Sequence, residues 1–310
     1  MAGWDSWPVL TTTSEAGIAR SARLALAALF LLLGAGCLKL DRFLFSPWTV
    51  DEYFLPGSID SLDWHVRGII PESLRQEVEL VSSGGNRIYG FLVQPKESTA
   101  RDEVTILYCH GNAHCINRYW GRIELLWEMG YRIFIFDYQG YGKSEGKPAG
   151  DACLADGRAA LAFLRGRPGV NPERIVYYGW SMGTFVATYL AADSVTPLGL
   201  IMESPPASAE ALVREGTVFN IPGSMVTRMD YEFDNEGRIA RVGVPVLMMH
   251  GTEDETVPFA RHARRILAAA EGHTEIEMVR AEGAGHEDVP YVLGEEYTHR
   301  VVSYIGLRAR

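Results

Sequence analysis

A chain of 310 residues, 47% hydrophobic and 22% charged, has the length for one large α/β domain with an appendage. That ordinary globular composition, without low-complexity tracts or internal repeats, excludes disordered and solenoid classes. A formal net charge of −10 with no basic cluster excludes nucleic acid as a partner, because phosphate binding needs concentrated Lys and Arg.

Residues 24–38 read LALAALFLLLGAGCL, with Arg20 and Arg23 before the run and Lys39, Asp41 and Arg42 after it. Such a run is shorter than the ~20 residues of a straight membrane helix and matches a signal h-region. Two membrane readings are open: an uncleaved anchor with its arginines inside, or a lipoprotein signal, since Gly34-Ala35-Gly36-Cys37 is similar to a bacterial lipobox. Either way, segment 1–38 is expected to hold the protein at a membrane, with its bulk on the extracytoplasmic side. Residues 39–75 carry Pro47, Pro56, Gly57, Gly68 and Pro71 among aromatics without a sustained period, and read as a connector.

Regular punctuation begins near Glu77, and 76–310 read as the main domain. Val78–Ser82 and Arg87–Gln94 flank Ser83-Gly84-Gly85-Asn86, a hairpin signal. VTILYC (104–109) is a short run suited to a buried strand. Similar runs follow at 132–137, 174–179, 198–202, 244–249 and 275–280. Helical stretches lie between them at about 117–129, 151–165, 182–192, 258–271 and 290–306, with Asp151 and Pro258 as helix starts. An antiparallel hairpin followed by strand–helix alternation predicts an α/β fold: a mostly parallel sheet with helices on both faces. The exception is 205–243, an insertion long enough to be a cap. Its Leu212, Val213, Val218, Phe219, Ile221, Met225 and Met229 supply apolar side chains for an acyl pocket.

Gly179-Trp180-Ser181-Met182-Gly183 follows a strand-like run and precedes a helix-like one, the context of a nucleophile elbow. So tight a turn needs glycine two residues either side of Ser181. A serine hydroxyl needs an adjacent base, and eight histidines are available. His286, in the glycine-rich loop Gly283-Ala284-Gly285-His286, follows the last strand; His250 ends a strand ahead of the acid. Chain order favours His286. The orienting acid is sought in Gly251-Thr252-Glu253-Asp254-Glu255, where Asp254 is preferred and both glutamates are chemically competent. The order Ser181, Asp254, His286 is nucleophile, acid, base. Oxyanion donors are expected at the N–H of Met182 and, on His110-Gly111-Asn112-Ala113, at Asn112 or alternatively Ala113.

Metal and nucleotide sites are not expected. The four cysteines, Cys37, Cys109, Cys115 and Cys153, form no C-x-x-C pair. Cys109 and Cys115 flank one loop, as free thiols or as a bridge. Gly142-Lys143-Ser144 lacks the first glycine of a P-loop, and His110 and His114 lack the glutamate of a zinc helix. No cofactor is called for.

Together, HGNAHCINR, FDYQGYGKSEGKP, GWSMG, GTEDETVP and GAGHED resemble the membrane-anchored branch of α/β hydrolases typified by Bem46 and by the α/β-hydrolase domain-containing proteins 13 and 17. Phe233-Asp234-Asn235 is also similar to that family, where it ends the cap. The resemblance implies a serine hydrolase acting on a small-molecule ester, thioester or acyl substrate. A peptidase or amidase of the same fold is the alternative, and a non-catalytic hydrolase-fold binding protein the more distant one.

Overall fold

A computed structural model describes residues 45–55, 65–96, 101, 103–214 and 233–309. The chain divides into two units, Met1–Lys39 and Leu40–Arg310, and all described residues lie in the second. The apolar run 24–38 and the cap residues Val218, Phe219, Ile221, Met225 and Met229 fall outside them. Among the described residues, no helix is long and apolar enough to cross a membrane.

The main sheet has eight strands: β2 (Arg75–Val81), β3 (Arg87–Val93), β4 (Thr105–Cys109), β6 (Arg132–Phe136), β7 (Ile175–Trp180), β8 (Gly199–Glu203), β9 (Val246–Gly251) and β10 (Ile276–Ala281). Their order is β10-β9-β8-β7-β4-β6-β3-β2. The β2–β3 hairpin and the β3–β6 pair are antiparallel, and every other pair is parallel. The chain belongs to the predicted class.

Alternation along the strands builds two cores, because successive side chains point to opposite faces. In β4, Ile106 and Tyr108 enter one cluster while Leu107 and Cys109 enter the other. The first face is covered by α1 (Ile116–Glu128) and α8 (Glu295–Arg308). In α1, Ile116, Tyr119, Trp120, Ile123 and Leu126 recur at helical spacing and are buried. The second face is covered by α2 (Gly150–Gly166), α3 (Gly183–Asp193) and α6 (Ala263–Ala270). The short helices α4 (Ala209–Arg214), α5 (Asn235–Ile239) and α7 (Val289–Leu293) complete the set. Asp234 caps α5 by accepting the Gly237 N–H at 2.8 Å.

Two helix expectations are corrected. Pro258 does not start a helix: residues 259–262 form turns, with the Arg261 N–H donating to the Pro258 carbonyl at 2.9 Å, and α6 begins only at Ala263. The stretch 290–306 is two helices, broken where Gly294 takes a φ of 55°. Glycine adopts that left-handed conformation without a Cβ penalty and so stops α7.

Part of the connector is built into the domain. β1 (Ser46–Pro47) pairs in parallel with β5 (Ala113–His114), in the loop after β4. Cys109, Cys115 and Cys153 are buried free thiols, so Cys109 and Cys115 are unbridged. Burial pushes the Cys115 thiol up to about 12.

Candidate active site

Ser181 sits between β7 and α3, at the carboxyl edge of the central strands, where open α/β sheets place their ligands. Its φ is 52°, unusual for a residue other than glycine. The Ser181 N–H donates to the Glu203 carbonyl at 2.9 Å, tying the turn to the next strand. Both flanking glycines are required by close approach. A Cβ on Gly183 would stand 1.9 Å from the Cys109 carbonyl oxygen, and one on Gly179 would stand 2.5 Å from Thr184 Cα.

His286 lies on the loop between β10 and α7, and its Nε2 is 2.9 Å from Ser181 Oγ. Its Nδ1 is 2.8 Å from Asp254 Oδ2. Asp254 lies on the loop after β9, and its other oxygen accepts the Val257 N–H at 2.7 Å. Asp254 is buried, whereas its neighbours Glu253 and Glu255 point to solvent. The three preferred residues are therefore brought together and the two glutamates are not.

His250 stands behind the acid. Its Nε2 donates to the Val257 carbonyl at 2.7 Å and lies 3.4 Å from Asp254 Oδ2. A carbonyl only accepts, which fixes the proton on that nitrogen. Burial pushes the Asp254 carboxyl up, but hydrogen bonds from His250, His286 and the Val257 N–H outweigh it. The group is held well below the ordinary carboxylate range.

Met182 and Asn112 face the same space, beside Ala113. Among the described residues, neither the Met182 nor the Asn112 N–H meets a hydrogen-bond acceptor within the chain. The Asn112 side chain is occupied: its Oδ1 accepts the Ser46 N–H at 3.0 Å and the Tyr141 hydroxyl at 3.1 Å. Ser181, His286 and these residues open on a cavity of about 270 Å³. Its walls are mainly apolar, with Trp180, Phe185, Leu212, Phe233 and Val257 prominent. Phe233 stacks on Phe185 at 4.8 Å and meets Phe45 edge-on at 6.0 Å. Val213 is buried away from the cavity in the core.

Sequence reasoning missed the frame beneath the His286 loop. Arg122 Nη1 pairs with Glu203 Oε1 at 2.5 Å, both side chains nearly inaccessible. Its Nη2 donates to the Glu287 carbonyl at 2.6 Å, and the guanidinium lies 4.3 Å from the Trp180 ring. The Trp180 indole N–H reaches the His286 carbonyl at 3.3 Å, while Arg118 grips the Glu287 carboxylate at 2.5 and 2.6 Å. The available signals were an arginine inside the apolar stripe of a helix and a glutamate ending the apolar run LGLIME. Among the described residues, no group of three or more His, Cys, Asp or Glu side chains is placed to hold a metal ion.

A family model described as the alpha/beta hydrolase fold matches residues 104–229. The chain is 33% identical over 225 residues to alpha/beta hydrolase domain-containing protein 17B of Homo sapiens, covering 72% of this chain and 73% of that one. It is 28% identical over 234 residues to the uncharacterized protein YfhR of Escherichia coli K12, covering 74% and 80%. Among solved structures, an esterase of Pyrococcus furiosus superposes with a TM-score of 0.65 at 20% identity, covering 85% of this chain and 98% of that one, a likeness of fold. With the sheet, the elbow and these relatives in agreement, the chain belongs to the α/β-hydrolase superfamily and is a hydrolase of that fold.

Proposed function

We propose that the protein is a serine hydrolase that cleaves an ester or thioester through an acyl-enzyme intermediate. The observation that carries this is the hydrogen-bonded chain from Ser181 Oγ through His286 to Asp254, at 2.9 and 2.8 Å, opening on an apolar cavity. A carboxylate facing Nδ1 keeps the imidazole proton there, which leaves the Nε2 lone pair for the serine proton. Ser181 Oγ attacks the substrate carbonyl as His286 takes that proton. The N–H groups of Met182 and Asn112 stabilise the oxyanion. His286 then protonates the departing oxygen or sulfur, and the C–O or C–S bond breaks to leave acyl-Ser181. Water, deprotonated by His286, attacks the acyl carbonyl in turn, and the proton returns to Ser181 Oγ as the acid leaves.

The cavity walls of Phe185, Leu212 and Phe233 support an acyl group as the part of the substrate that is enclosed. A volume of about 270 Å³ lies near the lower end of the range for ligand pockets, about 300–1,000 Å³, which suits a modest chain. The apolar run 24–38, with Arg20 and Arg23 ahead of it, supports attachment to a membrane through the N-terminus, with the catalytic domain outside the cytoplasm. Recovery of the intact full-length chain in the soluble fraction would overturn that attachment.

The decisive experiment uses a fluorophosphonate probe and a series of p-nitrophenyl esters. Wild-type protein is labelled at Ser181. Ser181→Ala loses the label and at least about 10³-fold in kcat, keeping a residue of rate from the oxyanion contacts. Undiminished labelling of the variant would remove Ser181 from the mechanism.

A further inference from the structure

Residues 45–53 run along the back of the loop that carries Asn112. β1 pairs with β5, and the Trp48 N–H donates to the His114 carbonyl at 3.3 Å. On its other side the segment binds the loop after β6. The Gly142 N–H donates to the Trp48 carbonyl at 2.9 Å, and the Val50 N–H donates to the Gly142 carbonyl at 3.0 Å. Two side-chain contacts finish the seam. The Tyr53 hydroxyl donates to Asp137 Oδ2 at 2.7 Å. Burial, with the Asp137 carboxylate beside it, pushes the Tyr53 phenol far up, so it stays a donor. Asp137 Oδ1 accepts the N–H of Ile116, the first residue of α1, at 3.0 Å.

These contacts converge on one residue. An amide oxygen has two acceptor positions, and both on Asn112 are taken, by the Ser46 N–H and the Tyr141 hydroxyl. With its side chain fixed from two sides, Asn112 cannot turn without breaking a bond to the segment or to Tyr141. The next residue is held too, since the Tyr119 hydroxyl donates to the Ala113 carbonyl. An oxyanion donor acts by being in place before charge develops, and small displacements weaken it steeply.

We infer that residues 45–53 form a strap that positions the oxyanion side of the site through Asn112. Ser46 and Tyr141 are positioning residues in this scheme, and Tyr53 locks the strap to the domain. The inference rests on the acyl-transfer function proposed above.

The test uses the full chain with active sites counted by fluorophosphonate titration. Ser46→Pro deletes the N–H that reaches Asn112, Tyr141→Phe deletes the hydroxyl, and the conservative Ser46→Ala keeps the N–H and with it the rate. For a short p-nitrophenyl ester, Ser46→Pro and Tyr141→Phe each lower kcat per titrated site about 3- to 10-fold, the worth of one neutral hydrogen bond. KM stays within about 2-fold, because the contact strengthens only as the oxyanion forms. The Ki of a trifluoromethyl ketone, whose adduct with Ser181 carries the same oxyanion, rises by the same factor. A segment that only stabilised the fold would lower the titratable fraction and leave kcat per site untouched. That result, a loss confined to KM, or an unchanged Ki overturns the proposal. If Ser46→Pro does not fold, Tyr141→Phe decides alone. Wild-type protein that takes no fluorophosphonate label would overturn the acyl-transfer function and the strap with it, whereas labelled protein with an unchanged kcat overturns the strap alone.

Discussion

Changing Asp254 to Asn tests the hydrogen-bond chain at its most informative point, because the surroundings dictate how the new amide must lie. Asp254 Oδ1 accepts the buried Val257 N–H at 2.7 Å, and Oδ2 faces His286 Nδ1 at 2.8 Å. If the amide NH₂ took the Oδ1 place, it would confront the Val257 N–H, and a buried donor left unpaired costs about 1–3 kcal/mol. The amide oxygen therefore keeps that place, and the NH₂ turns toward His286. The His250 N–H, 3.4 Å from the Oδ2 place, opposes this, but it keeps the Val257 carbonyl at 2.7 Å as its acceptor. Facing a donor, His286 Nδ1 gives up its proton to Nε2, and the imidazole can no longer receive the proton of Ser181. The expected loss in kcat is about 10⁴-fold, roughly 5 kcal/mol of transition-state stabilisation. KM for a short p-nitrophenyl ester changes little, because no wall of the cavity is altered. The assay is initial-rate hydrolysis of that ester together with the rate of fluorophosphonate labelling, both of which fall. Glu253→Gln and Glu255→Gln, at exposed carboxylates, stay within about 2-fold of wild type. If Asp254→Asn kept more than about a tenth of kcat, or if either glutamate variant were the crippled one, the tautomer argument would fail.

Two further predictions concern stability. Burial lowers His262 from its ordinary 6.5 to about 4, with His250 and Arg265 nearby adding to the effect, and its Nδ1 accepts the Ala207 N–H at 3.1 Å. The unfolded chain therefore takes up this proton first as pH falls. Stability is full above about pH 6.5 and declines toward pH 4; urea midpoints across that window measure the slope, and His262→Gln flattens it. Arg122→Met strands the buried Glu203 carboxylate with only the Tyr178 hydroxyl, at 2.6 Å, as a side-chain partner. Thermal or urea unfolding should register a loss of about 3–5 kcal/mol. The double variant with Glu203→Gln recovers most of it, and a loss below about 1 kcal/mol in the single variant would contradict this account.

The elements with strong patterns were legible in the sequence. The buried runs at β4, β6, β7, β8 and β9 have β-branched and apolar content that leaves few alternatives; 275–280 reads as a strand of the same kind, but β10 lies at the sheet edge and buries only Val279 and Ala281. All six strands are offset from their predicted spans by two residues or fewer. Ser181, Asp254 and His286 could be chosen because chain order and loop position restrict an otherwise large set. What residue type left open between Asp254 and its two neighbours was decided by burial, a tertiary property. The strap was illegible for a different reason: β1 is two residues long and works through main-chain groups, which leave no trace in residue type. Asn112 was legible as a candidate oxyanion donor, but its side-chain contact with Tyr141 was not, since it spans 29 residues of chain. The break at Gly294 could have been read from the glycine itself, but the helical periodicity on either side of it masked the stop.

The backward-leaning backbone at Ser181 also limits which side chains could ever serve there. At φ 52°, a branched Cβ crowds its own backbone, so threonine, though it offers the same hydroxyl chemistry, would have to be forced into the turn. Unbranched side chains with one nucleophilic atom at the end, such as cysteine or aspartate, meet no such obstacle. The elbow therefore acts as a filter on mutational history, since a lineage could exchange the oxygen for sulfur or a carboxylate with the frame intact. It could not adopt the chemically closest substitute without rebuilding the contacts of Gly179 and Gly183, which leave no slack on either side.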